Sequence, residues 1–83
     1  MRNRNAFVEI DVHCMTKVQA VTAIDAKLRR ADASVYRLRV IHGYHSGTAL
    51  RDEIRKRYVN HPKVKRIELG LNPGITDLVL REF

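Results

Sequence analysis

Hydrophobic and polar positions follow two periods along this chain, and the switches between them predict its elements. Over residues 7–13 the period is two. Val8, Ile10 and Val12 face one way and Phe7, Glu9, Asp11 and His13 the other, the pattern of a half-buried strand. From Thr16 the period lengthens. Thr16 with Gln19 three residues on forms a capping-box signature, and Val21, Ile24, Leu28 and Ala31 follow at helical spacing. Asp32-Ala33-Ser34 makes the return, and period two resumes over residues 35–41, where Tyr36, Leu38 and Val40 oppose Arg37 and Arg39. Two arginines on one strand face repel each other if buried, so that face is expected to be open to solvent or to a ligand.

A glycine-bearing loop, His42-Gly43-Tyr44-His45-Ser46-Gly47, then leads into a second helix capped by Ser46 or Thr48 and running to about Asn60. Leu50, Ile54 and Tyr58 form its apolar stripe. Asp52 and Glu53 near its start and Arg55, Lys56 and Arg57 near its end stand in the order the macrodipole prefers, and Pro62 stops it. A third strand of mixed polarity covers residues 64–69. Asn72-Pro73-Gly74-Ile75 predicts a type II turn with proline and glycine at its centre, and residues 76–80 make a fourth strand, antiparallel to the rest.

The order βαβαββ contains two βα units, which imply parallel strands joined by right-handed crossovers. Open polar faces on the first two strands place both helices on one side of the sheet. The expected fold is therefore a two-layer α/β sandwich, since a doubly wound sheet needs more continuously apolar strands. Residues 1–6 read as a flexible basic tail and residues 7–83 as one domain, because 83 residues suffice for one modest core and not two.

Composition sharpens this picture in two ways. Sixteen Lys and Arg against nine Asp and Glu give a formal charge of +7, so polyanions are the first partners to consider, with a solvated basic surface as the alternative. Cys14 is the only cysteine, which rules out an internal disulfide and a thiolate zinc cluster. No apolar run approaches the roughly 18 residues of a membrane span, so the expectation is a cytoplasmic monomer without a membrane partner.

Chemistry concentrates at the carboxyl ends of the first two strands, where α/β sheets bind ligands. Asp11 and His13 lie two apart and share a face. Asp11 either orients a histidine or bonds a neighbouring loop, and His13 and His42 are candidates for general acid and base near neutral pH. His42 has the alternative task of bonding backbone to hold the turn. Gly43, Tyr44, His45 and Gly47 form the loop that meets the helix amino end, where backbone N–H groups and the dipole favour a phosphate. Both glycines are equally explained by a need for positive φ. Tyr44 is placed to stack on a base or to act as a packing lid. Arg51, Arg55, Lys63, Lys65 and Arg66 are candidates for phosphate contacts or a solvated face, and Cys14 reads as inert. One Asp and dispersed histidines form no carboxylate cage, so a metal such as Mg²⁺ or Mn²⁺ would arrive with the phosphates.

These motifs resemble the small MutS-related (Smr) domain family. The resemblance rests on Ile10-Asp11-Val12-His13, on His42-Gly43-Tyr44-His45-Ser46-Gly47, on Leu50-Arg51 in the following helix, and on His61-Pro62-Lys63-Val64-Lys65. Set against the family's Leu-Asp-x-His and His-Gly-x-Gly-x-Gly motifs, Asp11 and His13 match the first, and His42, Gly43 and Gly47 the second. His45 stands where the middle glycine is usual, Cys14 replaces a common glycine, and Leu50-Arg51 lies one residue further from the loop. The resemblance implies a fold similar to the C-terminal domain of bacterial translation initiation factor three, with strand order 1-2-4-3 and the fourth strand antiparallel. It also implies nucleic-acid binding with nicking or endonuclease activity on DNA or RNA, or action on messenger RNA at ribosomes. The leading expectation is an endonuclease in which Asp11, His13 and His42 move protons. The alternatives are a non-catalytic RNA- or ribosome-binding adaptor on the same fold and a protein-interaction domain.

Overall fold

The structure, a computed structural model, describes residues 7–43 and 48–82. The tail 1–6 and the alternative cap Ser46 lie outside the described residues. The elements run β1 (Phe7–Asp11), α1 (Lys17–Arg30), β2 (Arg37–Ile41), α2 (Ala49–Tyr58), β3 (Arg66–Glu68) and β4 (Ile75–Val79). The sheet order is β1-β2-β4-β3, with β1 parallel to β2 and β4 antiparallel to both β2 and β3. This is the two-layer α/β sandwich expected from the pattern, both helices on one face.

Helix α1 forms as its signals direct. Thr16 accepts from the Gln19 amide at 3.1 Å while the Gln19 side chain accepts from the Thr16 amide at 3.0 Å, and Lys27, Arg29 and Arg30 complement the dipole at its last turn. Its buried residues are Ala20, Ile24 and Leu28, so the apolar stripe is centred one position from the expected one and Val21 is only half-buried. These three pack with Leu38, Val40 and Leu78 of the sheet and with Ile54 and Tyr58 of α2. Tyr58 joins the two helices. Its ring is fully buried and its hydroxyl donates to Asp25 Oδ1 at 2.7 Å, and burial, more than that bond, pushes the phenol well above its usual range.

Several local expectations need correction. Helix α2 ends at Tyr58 rather than Asn60, and Thr48 makes no side-chain bond to a helix amide; its hydroxyl donates to Asp52 Oδ2 at 3.1 Å instead. The second strand starts at Arg37 because Val35 is held in a turn by Asp32, whose carboxylate also takes both the amide and hydroxyl of Ser34. The third strand has only three residues. The turn before β4 is not type II, which needs a positive φ at its third residue: Gly74 does not adopt one. Asn72 closes this turn with its side chain, accepting from the Gly74 amide at 2.8 Å.

The arginine face of β2 is the largest departure. Register places Arg39 opposite Asp77 and Arg37 opposite Val79, with Glu68 of β3 one strand further on. Arg37 Nη1 donates to Asp77 Oδ2 at 2.8 Å and to Glu68, and Arg39 Nε donates to Asp77 Oδ1 at 3.0 Å. Burial alone would raise the Asp77 carboxyl, but the bonds from Arg39 and Arg37 outweigh it and hold the group below its usual value. The two cations lie side by side because acids on the next strands neutralise them. No helix among the described residues is long and apolar enough to cross a membrane.

Candidate nucleic-acid interface

Asp11 ends β1, and the chain turns at once, with the Met15 amide donating to the Val12 carbonyl at 3.0 Å. That turn folds His13 back onto Asp11. A single carboxylate oxygen, Oδ1, accepts from the His13 amide at 3.1 Å and lies 2.5 Å from His13 Nδ1. A carboxylate only accepts, so Nδ1 carries the proton and Nε2 is left with its lone pair. Both side chains are 53% exposed, and the bond from His13 lowers the Asp11 pKa.

The end of β2 lies against this pair. Asp11 is in register with Ile41, and the next two residues are His42 and Gly43. Gly43 has φ +71°, and a Cβ built there would stand 3.2 Å from His13 Cβ. The glycine is therefore needed twice, for its backbone conformation and for the space His13 occupies. Its amide is not offered to an anion, because the His42 and Gly43 amides both donate to the Gly74 carbonyl, at 2.9 and 3.0 Å.

His42 lies beneath the surface, only 4% exposed. Nδ1 is 2.8 Å from the Gly43 carbonyl and must donate to it, so Nε2 accepts the Thr76 hydroxyl proton at 2.9 Å. Thr76 in turn accepts from Arg55 Nε at 3.0 Å. Desolvation lowers the His42 pKa, opposed by its bond to Gly43 and assisted by the charges of Arg55 and Arg51. Both ring nitrogens are thus engaged inside the protein, and the neutral imidazole ties β2, β4 and α2 together. Thr76 went unnoticed in the sequence because it sits on the apolar side of β4 as an ordinary strand residue.

Arg51 in the first turn of α2 and Arg55 one turn on both act on His42; Arg51 Nε also donates to Asp52 Oδ1 at 3.1 Å. Tyr44, His45 and Gly47 lie outside the described residues. Lys63, Lys65 and Arg66 do not join this group. Lys63 Nζ donates to the Leu28 carbonyl at the carboxyl end of α1, the Lys65 amide donates to Val79, and Arg66 is paired with Glu68 and Glu82. Val79 is in register with Arg37 at the start of β2, about 13 Å along the strand from Ile41. Among the described residues no group of three or more His, Cys, Asp or Glu could hold a metal ion. Asp11, already bound by His13, is the one carboxylate of the pair.

A two-layer sandwich of this topology, with a histidine-glycine turn packed on an Asp-x-His pair, defines a class of small α/β domains. The chain belongs to the Smr domain family, whose profile matches residues 10–73. It is similar to the crystal structure of the Smr domain of Thermus thermophilus MutS2, with TM-score 0.78 and 28% identity over 90% of this chain and 99% of that one. A search of curated proteins gives no match. The family is generally nucleic-acid-binding.

Proposed function

We propose that this domain binds nucleic acid at the carboxyl ends of β1 and β2 and cleaves a phosphodiester there, with His13 as the proton-transferring group. The observation that carries this reading is the Asp11–His13 pair: a carboxylate fixes the tautomer of a half-exposed imidazole, so that in the neutral ring Nε2 is the nitrogen with the lone pair. In the reaction Nε2 takes the proton of the attacking oxygen as its bond to phosphorus forms. The bond from phosphorus to the leaving oxygen breaks, and the imidazolium or water returns a proton to that oxygen. Asp11 positions the ring and stabilises its charged form, while Arg51 and Arg55 favour the extra negative charge on phosphorus. His42 takes no proton in this scheme; it positions the turn.

A non-catalytic adaptor is the second reading, favoured by the engagement of both His42 nitrogens, which leaves His13 as the one exposed imidazole among the described residues at this site. The test is a cleavage assay on labelled single- and double-stranded DNA and RNA, with and without Mg²⁺ or Mn²⁺. Binding is measured in parallel. Cleavage that falls roughly 10²- to 10⁴-fold in His13→Ala and in Asp11→Ala, with binding kept, supports the nuclease. Binding without cleavage under every condition supports the adaptor, and no binding at low salt refutes both.

A further inference from the structure

The other end of the sheet carries a second set of features suited to a polyanion. Phe7 opens the edge strand β1 and is 66% exposed on the face away from the helices. One side of its ring is covered by the Arg37 guanidinium, 5.5 Å from the ring centroid. The ring borders an open groove of about 350 Å³ that also includes Tyr36, Val79, Arg66 and Arg81. A second groove of about 290 Å³ meets the first at Arg81 and is flanked by Lys63 and Lys65 over an apolar floor of Ala31, Val35 and Leu80. Lys65 and Arg81 are both exposed. The two grooves share Arg81 and form one track, aromatic on one side of it and rich in cations on the other. Each also holds one acid: Glu82, which pairs with Arg66, in the first, and Asp32, which accepts from Ser34, in the second.

We infer that this track is a second nucleic-acid contact, specific for single strands, in which an unstacked base lies on Phe7 while neighbouring phosphates meet Arg81 and Lys65. The inference rests on the nucleic-acid-binding reading above and extends it to the end of the sheet opposite Asp11, His13 and His42. An aromatic beside guanidinium groups offers a base both stacking and cation–π attraction without reading its identity. Base pairs in a duplex keep their faces stacked on one another and cannot use Phe7. Lysines without an aromatic would suit a duplex equally, so Phe7 decides for the single strand.

The experiment is a salt titration of binding to fluorescein-labelled oligo(dT), oligo(U) and a duplex of equal length, followed by anisotropy, with a gel confirming that the probes stay intact. Phe7→Ala and Phe7→Leu are expected to weaken single-strand binding roughly 5- to 150-fold with the salt slope unchanged and duplex binding unaffected, and Phe7→Trp to retain it. Phe7→Leu keeps an apolar side chain in place, which separates stacking from packing. Lys65→Gln with Arg81→Gln is expected to reduce the single-strand salt slope by about 1.4. Equal single-strand binding by the wild type and Phe7→Leu, or an unchanged slope in the double variant, overturns the second contact while the motif site stands. A wild type that binds no oligonucleotide overturns both readings and turns attention to an acidic protein partner.

Discussion

Thr76 and His42 meet across β4 and β2, the hydroxyl donating to Nε2 at 2.9 Å, and the same oxygen accepts from Arg55 on α2 at 3.0 Å. One fully buried threonine thus fixes the ring whose other nitrogen holds the Gly43 carbonyl. Thr76→Val keeps the shape and removes this junction. The expected loss is about 1–3 kcal/mol, since a buried imidazole nitrogen is left unpaired, and urea denaturation measures it. An unchanged midpoint would mean that the chain of bonds contributes nothing to the fold.

The same burial gives stability a pH dependence with a definite sign. Desolvation lowers the His42 pKa from its ordinary 6.5. Between 6.5 and the lowered folded value the unfolded chain binds a proton that the folded chain refuses, so stability is highest above the unfolded pKa and falls as pH drops through this window. His42→Gln is expected to flatten the fall that begins as pH drops below the unfolded value of 6.5. Unfolding curves for both proteins across that range decide it, and parallel curves would assign the dependence to other groups.

Gly43 and His13 are coupled by space. Gly43→Ala places a methyl 3.2 Å from His13 Cβ at a φ of +71°, where L residues are strained. The backbone term alone predicts a loss of about 1–2 kcal/mol. His13 must also shift, so ¹⁵N spectra of the imidazole should change in this variant although no atom of the ring is altered. Unmoved ring resonances would contradict the packing.

The Asp11 carboxyl should titrate below its model-compound value of 3.8, chiefly because His13 donates to it, and His13→Ala should return it toward 3.8. Carboxyl ¹³C shifts followed through an acid titration report both values. Equal values in the two proteins would remove the pair on which the catalytic reading depends.

Asp77 neutralises two arginines while only 6% exposed. Asp77→Ala leaves Arg37 and Arg39 adjacent without their shared acid, and the expected loss is about 3 kcal/mol, the low end for breaking a buried pair because Arg39 is 40% exposed. This carboxylate has a lowered pKa, so its contribution is present above the unfolded value of 3.8 and is lost as pH falls through the folded one. Thermal unfolding at neutral and acid pH should therefore separate wild type from variant less as acid increases.

Local rules carried the chain a long way. The capping box at Thr16 and Gln19, the stripe Leu50, Ile54 and Tyr58, and the alternation through Val8 and Ile10 are short-range signals, and each produced its element, although the first strand stops at Asp11 rather than His13 because the chain turns there. The Asp11–His13 contact arose another way: β1 ends at Asp11, so the two do not share a strand face, and the turn closed by Met15 and Val12 brings the imidazole back onto the carboxylate.

What the sequence by itself determined is the order of elements and the side of each that is apolar. Tertiary structure alone decided what partners sit one strand or one layer away. Arg37 and Arg39 looked like an open cationic face until register set Asp77 and Glu68 beside them. His42 looked available until Thr76, 34 residues later, took its second nitrogen. Lys63, Lys65 and Arg66 were candidates for phosphate contacts or a solvated face, and only strand pairing showed that they stand at the end of the sheet opposite Asp11 and His42. Backbone periodicity sets where a side chain points; only the pairing of distant segments sets what it meets.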